Sequence, residues 1–130
     1  KEKPGLILVD PPFEEPGEFD RLLEGAVKAP RRWPAGLQAL WYPIKNRKAV
    51  TAFRDGLVSS GIPRILDLRL MVRAPGDIPA LDGCGMVVIN PPYVLEQEMR
   101  VILPVLARLL GEQHGASGDV AWLSFPETSA

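Results

Sequence analysis

This chain of 130 residues is short of several things. Cysteine occurs once, at Cys84, which excludes an internal disulfide and fits a reducing cytoplasm. With no histidine or helix start nearby, that thiol reads as structural and inert. Histidine also occurs once, at His114, in a polar loop without ligands at metal-binding spacing, so a solvated side chain is expected and no metal. No apolar run approaches the ~18 residues of a membrane-spanning helix, and no signal-peptide pattern opens the chain, so no membrane association is expected. An excess of charge of either sign is missing too. With 15 basic and 16 acidic residues the net charge is −1, which argues against a grip on polyanions by bulk charge. Arg31-Arg32 and Lys45-Asn46-Arg47-Lys48 are local basic patches whose simplest reading is a solvated face.

Proline is abundant instead. There are 14, about twice the average usage of ~5%, and they fall at the ends of apolar segments, where they act as punctuation. Apolar residues make up 46% and charged residues 24%, as in an ordinary globular chain. A chain of this length buries about two-thirds of its unfolded surface, enough for one domain over residues 1–130. No repeat or internal boundary interrupts it.

Residues 6–9 (LILV) form a short continuous apolar run, the pattern of a strand buried on both faces. Residues 18–28 carry Phe19, Leu22, Leu23 and Ala26 at helical spacing, with Pro30 as the stop. A second buried strand is expected over 37–44, with Trp41 and Tyr42 as core residues near its end, then a helix over 47–59 closed by Gly61. Residues 64–72 alternate Ile65, Leu66, Leu68, Leu70 and Val72 with Arg64, Asp67, Arg69 and Arg73, which predicts a half-exposed strand in antiparallel pairing. Residues 86–89 are continuous and apolar, close enough to hairpin with it. The longest helix is expected over 95–110, kinked by Pro104 near Arg100 and capped by Gly111, before a last strand over 120–125. Trp33 and Trp122 read as packing residues. The order β-α-β-α-β-β-α-β begins as a doubly wound α/β sheet with parallel neighbours and ends in an antiparallel hairpin.

Two similar loops follow predicted strands: Asp10-Pro11-Pro12-Phe13 and Asn90-Pro91-Pro92-Tyr93. An exocyclic amine on a planar ring is a poor nucleophile because its lone pair is delocalised. A carboxylate at a strand end accepts one amine hydrogen, and a neighbouring backbone carbonyl accepts the other. The nitrogen is thereby drawn toward tetrahedral geometry, and its lone pair is aimed at an electrophilic methyl. Pro11 and Pro12 fix φ and bring no competing N–H. Phe13 can stack on a base drawn out of its stack. The same residues are also an ordinary turn signal. Context favours Asp10. Asp82-Gly83-Cys84-Gly85, the only glycine turn near the second loop, precedes a strand where a cofactor turn should follow one. Asn90 reads as a structural turn into the long helix.

The blocks L-V-D-P-P-F-E, A-L-W-Y-P-I-K (Ala39 to Lys45), G-M-V-V-I-N-P-P-Y (Gly85 to Tyr93) and L-E-Q-E-M (Leu95 to Met99), in this order, resemble the RlmJ family of 23S rRNA adenine-N6 methyltransferases. The resemblance extends to Ile102-Leu103-Pro104 and to the last strand with Trp122. It implies an S-adenosylmethionine-dependent enzyme with a Rossmann-like sheet, acting on 23S rRNA in the cytoplasm. It also implies that Asp10 is the catalytic residue and lies beside the cofactor, with Pro11, Pro12 and Phe13 completing the loop. Lys45, just after a strand on the expected rim, becomes a candidate RNA-phosphate contact. Phe13 stands where relatives often have Tyr. D-P-P-F is shared with guanine-N2 methyltransferases, so another exocyclic-amine acceptor remains open, as does a non-catalytic RNA-binding or assembly module on the same fold. The glycine-rich cofactor turn and acidic ribose-binding residue of such enzymes precede this loop, and neither is among these residues. The expectation is therefore the C-terminal half of a methyltransferase sheet, inactive alone, with residues 6–9 as an apolar edge prone to self-association.

Overall fold

The computed structural model describes residues 3–76, 80–112 and 114–126. Their elements follow the order β1 (Leu6–Val9), α1 (Glu18–Arg32), β2 (Leu37–Ile44), α2 (Arg47–Ser59), β3 (Ile65–Met71), β4 (Gly83–Ile89), α3 (Leu95–Leu110) and β5 (Ser117–Ser124). The expected elements are all present, and α2 and α3 have the expected bounds. Asn46 starts α2 by accepting the Ala49 N–H at 3.2 Å, and Gly61, at φ +79°, turns the chain just beyond its end.

The strands form one sheet in the order β1-β2-β4-β3-β5. Only β1 and β2 pair in parallel; β2–β4, β4–β3 and β3–β5 are all antiparallel. The expectation of parallel neighbours along the first half of the sheet thus holds for one pair. The cause is β4, which turns back beside β3 without a helical crossover and offers its free edge to β2. Strands β1, β2 and β3 therefore point one way, and β4 and β5 the other.

Helices α1 and α2 cover one face through Leu22, Ala26, Val50, Phe53 and Leu57 against Leu40, Tyr42, Ile65 and Val87. Helix α3 covers the other, with Leu103, Met99 and Leu106 against Leu66, Leu68, Val88 and Trp122. Helix α1 runs past Pro30 to Arg32. The missing N–H falls in the last turn, where a single ladder bond is lost, and the Trp33 N–H still closes on the Ala29 carbonyl at 2.9 Å. Helix α3 is continuous through Pro104. Gly111 ends it in an extended conformation, not a left-handed one, and its lack of a side chain lets Ala107 and Ala116 approach closely.

In burial, β1 is the exposed apolar edge expected of residues 6–9, with Leu6 and Leu8 each 62% accessible, although its continuous apolar run suits a strand covered on both faces. β3 departs from expectation and is not half-exposed: it lies between β4 and β5, and Asp67 is buried at its centre. β4 begins three residues earlier than the apolar run, at Gly83. Gly83 and Gly85 are thus strand residues, and a Cβ on Gly85 would sit 2.0 Å from the Tyr42 ring. No helix among the described residues is long and apolar enough to cross a membrane.

The Tyr42 hydroxyl donates to Asp67 Oδ1 at 2.6 Å. Burial, with the Asp67 carboxylate beside it, pushes the Tyr42 phenol above its ordinary value of 10.0. A folded-state value above the unfolded one gives stability that is complete below pH ~10 and lost as pH rises through the folded value. Urea unfolding should therefore show declining stability in the alkaline range. Tyr42→Phe should cost about 1.5–3 kcal/mol at neutral pH, as for a hydrogen bond to a charged group, and should flatten the alkaline decline. An equally steep decline in the variant would assign it to other groups.

Candidate active site

The parallel register places Val9 beside Leu40, so Asp10 leaves β1 at the rim where β2 delivers Trp41 to Lys45. Asp10 is exposed, and its carboxylate has no hydrogen bond or ion pair among the described residues. Pro11 is half-buried and Pro12 exposed. Phe13 adopts φ +53°, a left-handed conformation uncommon for a bulky residue. Its half-buried ring lies 4.9 Å from Phe19 and 6.0 Å from Trp41, centroid to centroid, so aromatic packing holds the strained turn in place. Gly17, at φ +86°, then starts α1.

Beside the loop is a cavity of about 450 Å³, within the usual range for small-molecule sites. Phe13, Phe19, Phe53 and Pro43 supply apolar walls, and Lys45 and Asn46 line the side at the start of α2. Glu15, Glu18 and Asp20 give it an acidic margin. Arg21 reaches Glu18 at 2.8 Å, and that hydrogen bond is the main reason its guanidinium sits above its usual pKa. Phe13 and Lys45 thus meet at one cavity, with Asp10 on the same rim but outside its lining. An exposed carboxylate beside an aromatic hollow can accept a hydrogen from a polar edge while a flat ring rests on apolar walls.

The second loop lies elsewhere. Ile89 pairs with Gln38 near the start of β2, so Asn90 emerges at the opposite rim from Asp10. It adopts φ +58°, which asparagine tolerates, and its N–H donates to the Arg64 carbonyl at 3.0 Å. Its side-chain amide approaches the carbonyls of Ala35 and Gly36 at 3.5 Å. Asn90 is occupied in joining turns, and Tyr93 is 95% exposed.

A family model described as Ribosomal RNA large subunit methyltransferase D, RlmJ, matches residues 1–124. The chain belongs to the RlmJ family. A curated member, ribosomal RNA large subunit methyltransferase J of Haemophilus influenzae, is 37% identical over 124 residues, covering 95% of this chain and 44% of the relative. Its Escherichia coli counterpart is 35% identical over 119 residues, covering 92% and 42%. The chain therefore spans under half the length of these RlmJ relatives. The crystal structure of protein LPL1258 from Legionella pneumophila superposes with a TM-score of 0.78 at 24% identity, over 94% of this chain and 44% of that one, and so shares the fold.

Sequence reasoning missed a polar cluster under α2. Asp67, only 1% exposed, receives the Tyr42 hydroxyl and the Arg69 Nε at 3.2 Å. Arg54 Nε lies 2.9 Å from Asp67 Oδ2 but off the N–H axis, a charge contact without an aligned hydrogen bond. For Arg69, burial disfavours the charge, but Tyr42 and Asp67 more than offset it and raise its pKa. The signal lay in the strand period, which puts Asp67 and Arg69 on the face of Ile65 and Met71. His114 is exposed, with its carbonyl accepting the Ala74 N–H at 3.1 Å, and Cys84 is half-buried. The described residues contain no group of three or more His, Cys, Asp or Glu suited to a metal ion.

The strain at Phe13 predicts an inverted ranking of substitutions. Phe13→Gly should be more stable than Phe13→Ala by about 1 kcal/mol, because glycine adopts φ > 0 without steric cost. Urea denaturation of both variants checks this, and a Phe13→Ala protein as stable as Phe13→Gly would contradict a left-handed turn.

Proposed function

We propose that this chain is the acceptor-side, C-terminal half of an S-adenosylmethionine-dependent methyltransferase that modifies N6 of an adenine in 23S rRNA. Membership of a family whose curated relatives are named rRNA methyltransferases supports the reaction class. The observation that carries the site is the gathering of Asp10, the strained Phe13 and Lys45 at one rim, while Asn90 leaves at the other.

The Asp10 carboxylate accepts one hydrogen of the exocyclic amine, and a backbone carbonyl of Pro11 or Pro12 accepts the second. Both prolines lack an N–H, so neither of them competes for those acceptors. Orientation of the lone pair is the main gain, and Asp10 also stands ready to take the proton released as the N–C bond forms. Phe13 supports the face of the flipped base, and Lys45 contacts a flanking phosphate.

S-adenosylmethionine supplies the electrophilic methyl group when bound. Asp10 would flank that group on this side of the site. The remaining fit is poor, because Gly83 and Gly85 lie inside β4 against Met71 and Tyr42 and form no nucleoside-binding turn. On this reading the cofactor turn lies in the rest of the protein, in keeping with a chain that spans under half the length of its curated relatives. The exposed β1 edge fits the same division, and in the isolated chain it is a surface for self-association.

Asp10→Ala in the full-length protein should lower methyl transfer by about 100-fold or more while leaving the fold intact. Mass spectrometry of nucleosides from treated rRNA should show N6-methyladenosine. Unchanged transfer would remove Asp10 from the chemistry, and N2-methylguanosine would reassign the acceptor. Calorimetry of the 130-residue chain with S-adenosylmethionine should show no micromolar binding; such binding would contradict the division of the site.

A further inference from the structure

A second cavity, about 390 Å³, opens on the other side of α2, between that helix, β3 and the start of β5. Arg47, Arg54 and Arg69 line it, together with Thr51, Ser117 and Asp119. Arg47 and Arg54 are two turns apart on one side of α2, and Arg69 rises from β3 beneath them. Among its described lining residues, three guanidiniums face two side groups of opposite sign nearby, Asp119 in the lining and Asp67 below. The Phe13 cavity has the reverse balance, with Lys45 against Glu15, Glu18 and Asp20.

Asp67 engages Arg54 and Arg69 through their Nε atoms. Among the described residues, the terminal nitrogens of both guanidiniums have no acceptor. The buried carboxylate thus holds Arg69 by a hydrogen bond and Arg54 by a charge contact, and both side chains, 28% and 30% exposed, line the cavity. A second observation concerns α2. Its first turn holds Arg47 and Lys48 with no acidic residue, cations set against the positive end of the helix dipole. That arrangement costs helix stability in the free chain and is relieved by a bound anion.

We infer that the arginine-lined cleft between α2, β3 and β5, with the Lys45–Lys48 turn at its mouth, holds the phosphodiester backbone of the RNA substrate beside its target nucleotide. This rests on the reading above that the substrate is RNA. The cations run from the end of β2 across the start of α2 to β3, an extended track that suits a polyanion better than a single free phosphate. The two sides of α2 then divide the labour: an aromatic cavity with an acidic margin for a base, and an arginine cleft for the backbone that carries it. The overall charge of −1 hides this track, because acids elsewhere, among them Glu15, Glu18 and Asp20 on the other side of the helix, offset it in the sum.

Fluorescence anisotropy of a fluorescein-labelled RNA hairpin with the full-length protein, over a range of salt concentrations, tests the cleft. Arg47→Ala should weaken binding about eightfold at 0.1 M salt and make the log–log salt slope shallower by about 0.9, the signature of one lost phosphate contact. Arg54→Lys keeps the charge beside Asp67 and should retain the slope, and Arg108→Ala on α3 should change nothing. Circular dichroism checks that each variant is folded. Wild-type affinity and slope in Arg47→Ala would overturn the inference, as would failure of the wild-type protein to bind the hairpin. Binding of inorganic phosphate or polyglutamate that depends on Arg47 while RNA binding does not would also overturn it. Methyl transfer is read separately: Arg47-dependent RNA binding without transfer leaves the cleft standing and removes the methyltransferase reading. Transfer with Arg47-independent binding does the reverse.

Discussion

Strand β4 runs against the strands on both sides of it, and that reversal decides which residues can share a site. Its last residue, Ile89, pairs with Gln38 and Ile65, near the starts of β2 and β3. Asn90 therefore emerges among the turns at Ala35, Gly36 and Arg64, while Asp10 leaves β1 at the far rim. The insertion depends on small residues. Gly85 lies under the Tyr42 ring, and Gly83 lies against the Leu70 carbonyl and Met71, at separations no Cβ could occupy. Two loops that look alike in sequence are thus placed where only one can meet the carboxyl ends of β1 and β2.

The centre of the sheet is also where the polar order originates. Tyr42 crosses from β2 to Asp67 on β3, and Asp67 in turn holds Arg69 and Arg54. This buried cluster connects the sheet to α2, the helix that separates the aromatic cavity from the arginine cleft. Breaking such a cluster on one side leaves charge without compensation, so the same contacts that position the arginines also restrict what can replace them. Position and stability are coupled through a single carboxylate.

Much of this was legible in the residues. Helical spacing fixed α2 and α3, and apolar runs and the alternation over 64–72 showed that each strand exists, with β4 and β5 each starting three residues earlier than expected. The order of β1, α1 and β2 placed Asp10, Phe13 and Lys45 at strand ends. Less was legible where an outcome depended on a distant partner. Alternation in β3 set Asp67 and Arg69 on the opposite face from Leu66, Leu68 and Leu70, but only the fold reveals that β5 flanks them and α2 covers them. The place of β4 between β2 and β3 could not be read from loop lengths, which specify the hairpin but not the strand that takes its free edge. Pro30 marks a helix end in sequence, yet a proline in the final turn sacrifices little. The left-handed turn at Phe13 has no local signal, since phenylalanine is a poor candidate for it. At the second loop it is Asn90, a residue that tolerates the conformation, that takes it.

The central claim is that RNA meets the rim shared by Asp10, Phe13 and Lys45. Photocrosslinking of 4-thiouridine-substituted 23S rRNA fragments to the full-length protein, with crosslinked peptides mapped by mass spectrometry, tests it most directly. Crosslinks should fall in the loop over residues 10–17 and in residues 45–54, the turn after β2 and the first half of α2. Tyr93 is almost fully exposed on the opposite rim and is a ready aromatic target. Crosslinks concentrated at residues 90–94, with none near Phe13 or Lys45, would contradict the assignment.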